Sequence, residues 1–97
     1  MSASNLQDLI DILRHVHSKI SNDTDVIYAG FDSPEDLRAD IENDLLEIEK
    51  GTTKILDKYK MWFAPAGPIQ DISLSNNWEK EYLKLAKRFD ELYKKVK

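Results

Sequence analysis

Cysteine is absent from this 97-residue sequence, which excludes a disulfide frame, a thiol nucleophile and a thiolate-bound metal. That absence suits a reducing compartment, and a cytoplasmic protein is expected. Long apolar runs are absent too. Nowhere do 18 apolar residues stand together, so no membrane span is expected. The opening MSASNLQDLIDIL has neither a basic leading region nor an unbroken apolar stretch, so no secretion signal is expected either. There is no G-x-S-x-G element, phosphate loop, E-E-x-x-E cluster or internal repeat. A catalytic residue, a metal and a cofactor are therefore none of them assigned. A pI near 5.1 argues against a general nucleic-acid binder.

What is present is helical periodicity. Ser4, with Gln7 three residues on, fits a capping box and should open the first helix. Leu6, Leu9, Leu13, Val16 and Ile20 then form one apolar stripe that ends near Ser21. In the connection 22–33, the apolar centre Val26, Ile27 and Tyr28 is too short to build a sheet and should fold back onto the helices. The second helix has the clearest start: Ser33 as N-cap, Pro34 at N1, and Glu35 and Asp36 at the positive end of the dipole. Leu37, Ile41, Leu45 and Ile48 are its apolar positions. Ile55, Tyr59 and Trp62 nearly continue the period, but one helix over 34–63 would be roughly 45 Å long. A break is expected at Gly51-Thr52-Thr53, with Gly51 left-handed. The run Ala64-Pro65-Ala66-Gly67-Pro68 ends helical structure, and Ile69 and Ile72 fit a single turn after it. The last helix should open at Asn76 or Asn77 and carries Trp78, Tyr82, Leu85, Phe89, Leu92 and Val96, with Leu85 and Phe89 in the core.

Charge is unevenly placed. The first 51 residues hold four Lys/Arg against twelve Asp/Glu, net −8, while the remaining 46 hold ten against six, net +4. Within 32–49, eight carboxylates accompany one base, Arg38. Asp36, Asp40, Asp44 and Glu47 stand at helical spacing and form an acidic ridge whose i,i+4 pairs each cost a few tenths of a kcal/mol. Two readings follow. Either the ridge is bland, with Lys80, Lys84, Lys87 and Arg88 of the last helix facing it inside the bundle or water and salt screening it, or it is an exposed surface that recognises a basic partner. Tyr59, Trp62, Phe63, Trp78 and Tyr82 cluster around the proline-glycine loop and fit an aromatic plug. Trp62 and Phe63 are the less committed members and are candidates for partner contact. His15 and His17, two residues apart, do not share a helix face; His17 is expected at the core edge and His15 in solvent, with at most a weak Asp11–His15 pair. Asp23-Thr24-Asp25 begins like a calcium loop and then fails at Ile27 and Tyr28. On the last helix, i,i+4 pairs of Asp90 with Lys94 and Glu91 with Lys95 should interrupt the basic face, which ranks nucleic acid last among partners.

The sequence therefore predicts a single all-α domain over residues 1–97, an antiparallel bundle of three to four helices with a Pro/Gly loop before the last. The expected function is non-enzymatic docking against another protein, a basic one, through Asp36, Asp40, Asp44, Glu47, Trp62 and Phe63. Its most concrete form is a small acidic inhibitor of the immunity or antitoxin kind. The alternatives are a structural protein with no separate activity, or a metal-dependent all-α hydrolase joining Asp8 and Asp11 to Asp40 and Asp44. A homo-oligomer stays open.

Overall fold

Five helices follow one another in the computed structural model, which describes residues 3–26 and 29–96. They are α1 (Ala3–Lys19), α2 (Pro34–Glu49), α3 (Ile55–Trp62), α4 (Pro68–Ser75) and α5 (Glu79–Val96). There is no strand among the described residues. No described helix is long and apolar enough to cross a membrane. The helices α1, α2, α3 and α5 close a ring, each packed on its two neighbours, and α4 packs against α3 and α5. Side-chain pairs show antiparallel packing along three of the seams: His15 with Glu81 and Asp8 with Arg88 between α1 and α5, His17 with Glu42 and Arg14 with Glu49 between α1 and α2, and Asp57 with Tyr93 and Lys60 with Asp90 between α3 and α5. In this ring α2 and α5 occupy opposite corners, with no Cα of one within 8 Å of a Cα of the other.

The inward stripes fill the centre. Leu9, Leu13 and Val16 of α1, Leu37, Ile41 and Ile48 of α2, Leu56 and Tyr59 of α3, and Tyr82, Phe89 and Leu92 of α5 are all buried in one cluster. Val26 joins them from the first connection, as expected; Ile27 and Tyr28 lie outside the described residues. Leu85 differs from expectation. It is half-buried at the edge of the cluster, where it lies beside the contact between His15 of α1 and Glu81 of α5.

Local chemistry explains the boundaries. Helix α1 begins at Ala3, which places Ser4 inside it instead of at its cap. At the start of α2 the Ser33 hydroxyl accepts the Asp36 N–H at 3.1 Å, with Pro34 at the first position. Its far end closes with two paired bonds, Gly51 N–H to the Ile48 carbonyl and Thr52 N–H to the Glu47 carbonyl, both 3.0 Å, while Gly51 takes φ +101°. This is a Schellman end, and it breaks the continuous period that runs from α2 into α3. A Cβ at Gly51 would meet nothing within 4 Å, so only backbone strain opposes a side chain there. Gly51→Ala should cost about 1–2 kcal/mol, the usual penalty of a left-handed non-glycine residue. Urea melts would check this, and a stabilised variant would show that the break is not held by its glycine.

The ring of four helices is the expected all-α bundle, and α4 adds to it because the 64–78 segment is more ordered than its prolines suggest. Helix α4 makes two turns instead of one, with Ile69 and Ile72 both buried and the Asn76 side-chain amide donating to the Ile72 carbonyl at 2.8 Å. With Asn76 capping α4 and Asn77 at φ +66°, neither asparagine can start the next helix, and α5 begins at Glu79. Gly67 is needed for a different reason. A Cβ there would lie 2.8 Å from the Met61 and Trp62 carbonyl oxygens and 2.9 Å from that of Ala64. The chain thus folds back directly over the last carbonyls of α3, where only glycine fits. The Tyr82 hydroxyl completes this corner by donating to the Phe63 carbonyl at 2.8 Å.

Candidate partner-binding surface

At 100° per residue, burying Leu37, Ile41 and Ile48 sends the acids of α2 to two flanks and the outer face. On the flank toward α1, His17 Nε2 meets Glu42 at 2.7 Å and Arg14 meets Glu49 at 2.8 Å. On the flank toward α3, Asp44 accepts from the Lys58 ammonium and, at 2.6 Å, from the Tyr59 hydroxyl. Asp44 has a side chain only 14% exposed. It is a tie between helices. Tyr59 itself is buried, and its phenol is pushed well above the ordinary range, first by that burial, then by the hydrogen bond to Asp44 and the charges of Asp44 and Asp40.

The ridge is therefore not one surface. Glu47 is exposed, with Lys50 3.8 Å away. Asp36 and Asp40 are exposed and make no ion pair among the described residues. Arg38 does not relieve them, because its guanidinium donates to the Ile20 carbonyl at 3.2 Å and to Asn22 Oδ1 at 2.7 Å. The internal compensation expected from Lys80, Lys84 and Lys87 is also not there, since α5 stands diagonally across the ring; Arg88 pairs with Asp8 of α1 at 3.2 Å.

Phe63 is withdrawn from the candidate contact set. It is 3% exposed and stacks on Phe89 with ring centroids 4.8 Å apart. Trp62 keeps part of its indole at the surface. It lies edge-on to Phe31 at 5.4 Å and Tyr59 at 5.0 Å, with the Lys58 ammonium 4.7 Å from its ring centre. Trp62 and the buried Trp78 line an apolar void of about 10 Å³, room for no more than one water. The buried Trp78 N–H meets no acceptor among the described residues. These rings close one region of the core, as a plug would.

The carboxylates that a hydrolase would need do not converge. Asp8 pairs with Arg88, Asp11 accepts from Gln7 at 3.0 Å in place of the expected His15, and Asp44 is held by Lys58. Among the described residues no three His, Asp or Glu side chains come together around a metal-sized space. His17 is half-buried and His15 exposed, and they leave α1 on different flanks, His15 reaching Glu81 of α5 at 2.9 Å.

Helix α5 mirrors α2. The i,i+4 pairs expected along it do not form: Asp90 turns inward to Lys60 of α3 at 2.6 Å, and Glu91 lies 3.9 Å from Arg88. Glu81 accepts from Lys19 at 2.7 Å and from His15, and these hydrogen bonds, Lys19 first, hold its carboxyl below the ordinary range. Lys80, Lys84, Lys87, Lys94 and Lys95 are left exposed without an ion pair among the described residues. This lysine face was hidden in the sequence, where local acids four residues away offered themselves as partners. Against protein-family models, curated proteins and solved structures, the chain has no match.

Proposed function

We propose that the protein is a non-enzymatic interaction module that docks a basic protein surface through the first half of α2. The observation that carries this reading is Asp40. It is exposed, has Asp36 four residues before it and Asp44 four residues after, and makes no ion pair among the described residues. Asp36, in the first turn, gains from the helix dipole, but that benefit fades beyond one turn and does not reach Asp40. Every acid of the second half of α2 has a basic side chain beside it, His17 at Glu42, Lys58 at Asp44, Lys50 at Glu47 and Arg14 at Glu49. On the same flank Trp62 offers a partly exposed indole, the kind of aromatic edge that anchors interfaces. The most concrete form is a small acidic inhibitor that covers the basic working surface of its target.

The test is kinetic. The partner is the basic protein retained from native lysate, or the product of the adjacent gene, purified separately. Asp36→Asn/Asp40→Asn should fold within about 0.5 kcal/mol of the parent, the range of ordinary surface changes. Its association with the partner should be slowed by about tenfold or more at low salt, with a flatter salt dependence, since steering by complementary charge acts on the encounter rate. An unchanged rate would remove Asp36 and Asp40 from the interface.

A further inference from the structure

The lysine face of α5 has no counterpart within the monomer. Its outward row holds Lys80, Lys84, Lys87 and Lys94, and among them Leu83 is 57% exposed. Two carboxylates of α5 are drawn aside from this row, Glu81 to α1 and Asp90 to α3, and Glu91, which stands within it, lies 3.9 Å from Arg88, so the lysines outnumber the acid left among them. The occupant such a face fits is an acidic helix with an exposed apolar residue of its own. One is on this same molecule. The outer face of α2 presents Glu35, Asp36, Asp40 and Glu47, with Leu46 55% exposed. Because α1 and α3 separate α2 from α5, the two faces point away from each other and cannot meet within one chain.

We infer that the α5 lysine face binds the α2 acidic face of a second copy, giving head-to-tail association. The occupant is committed by charge: a row of lysines around a leucine meets a row of carboxylates around a leucine. A symmetric dimer would need both faces on one side of the molecule, so the contact is heterologous and adds copies in a line. Attraction between exposed charges is screened beyond the Debye length, about 10 Å at 0.1 M salt and 3 Å at 1 M. The association therefore belongs to low ionic strength. It shares the α2 carboxylates with the docking proposed above, so a basic partner and a second copy compete for them.

Two neutralised variants of the whole chain test this, Lys80→Gln/Lys84→Gln/Lys87→Gln and Asp36→Asn/Asp40→Asn, both confirmed as folded by circular dichroism. In sedimentation at about 20 mM salt the parent should gain mass with concentration, and should lose that gain at about 0.5 M, where screening is several-fold shorter in range. Each variant alone should stay monomeric. Mixed in equal amounts, they should form a 1:1 complex that grows no further, because one retains only its α2 face and the other only its α5 face. A parent that stays monomeric at every concentration overturns the inference. So do variants that associate like the parent, as they would through another surface or about a polyanionic contaminant, or a mixture that yields no complex. Failure here leaves the function proposed above separately decidable, since the lysine variant should bind the purified basic partner at the parental rate if that reading holds.

Discussion

Replacing Phe89 by alanine is expected to destabilise the protein by about 3–5 kcal/mol, the range for removing a buried aromatic ring. Phe89 is fully buried in the middle of α5. Its ring lies between Phe63, 4.8 Å away across the α3–α5 seam, and Tyr93, 5.8 Å away on its own helix. Tyr93 and Phe63 are both fixed by other contacts, Tyr93 through its hydroxyl to Asp57 at 2.6 Å and Phe63 through the Tyr82 bond to its carbonyl. The neighbours are therefore poorly placed to collapse into the space, which favours the upper part of the range. Against a total stability of roughly 5–15 kcal/mol for a domain of this kind, the loss is close to disabling. Leu85→Ala is the internal control. Its half-buried side chain should cost about 1 kcal/mol, the average for a substitution. Urea melts of both variants decide the matter, and a Phe89→Ala loss within 1 kcal/mol of the parent would mean that the wrong face of α5 has been assigned to the core.

The contrast between those two leucine- and phenylalanine-bearing turns shows where sequence periodicity informs and where it stops. Spacing of three and four identified every long helix, because an apolar stripe has to be buried whatever it is buried against. It also placed the break at Gly51, since a cation followed by glycine and two threonines carries its own local geometry. Leu85 sits on the same stripe as Phe89, yet the neighbour it meets is set by a salt bridge between helices 62 and 66 residues apart in sequence, through Lys19, His15 and Glu81. The 64–78 segment failed for a related reason. Its asparagines look like helix starts, but Asn76 is engaged with Asp25, its amide donating to that carbonyl and its oxygen accepting that N–H, both at 3.0 Å. Nothing local to either residue announces the pairing.

Charge was legible in amount and not in address. The sequence located an acidic excess on α2, and the structure ties part of it to three basic side chains on two other helices, Arg14, His17 and Lys58, none of them on α5. Likewise the acids of α5 turn to α1 and α3 and not to lysines one turn away. In both helices the same physical rule applies. A carboxylate on a flank can reach a long cationic side chain on the adjacent helix while that side chain also covers apolar surface, which an i,i+4 partner in open solvent does not do. The charges left on the two outer faces are those with no adjacent helix to meet.

Asp44 and Asp40, one turn apart, should consequently behave in opposite ways, and this separates structure from docking within the ridge. Asp44→Asn is expected to cost about 2 kcal/mol, within the 1.5–3 kcal/mol that hydrogen bonds to charged groups supply. It withdraws the charge facing Lys58 and weakens the acceptor for the Tyr59 hydroxyl, which is buried and has no access to water in exchange. The full penalty of an orphaned buried charge is not reached, because Lys58 is 39% exposed and can rehydrate its ammonium. Tyr59→Phe should recover part of the loss in the Asp44→Asn background, since it removes the stranded hydroxyl; the pair should be non-additive in a double-mutant cycle. Asp40→Asn, by contrast, should leave urea stability within about 0.5 kcal/mol of the parent or raise it slightly by removing repulsion along the helix. If Asp44→Asn proved as neutral as Asp40→Asn, the tie to α3 would carry no stabilising energy, and Asp44 would rejoin Asp36 and Asp40 as a charge available to a partner.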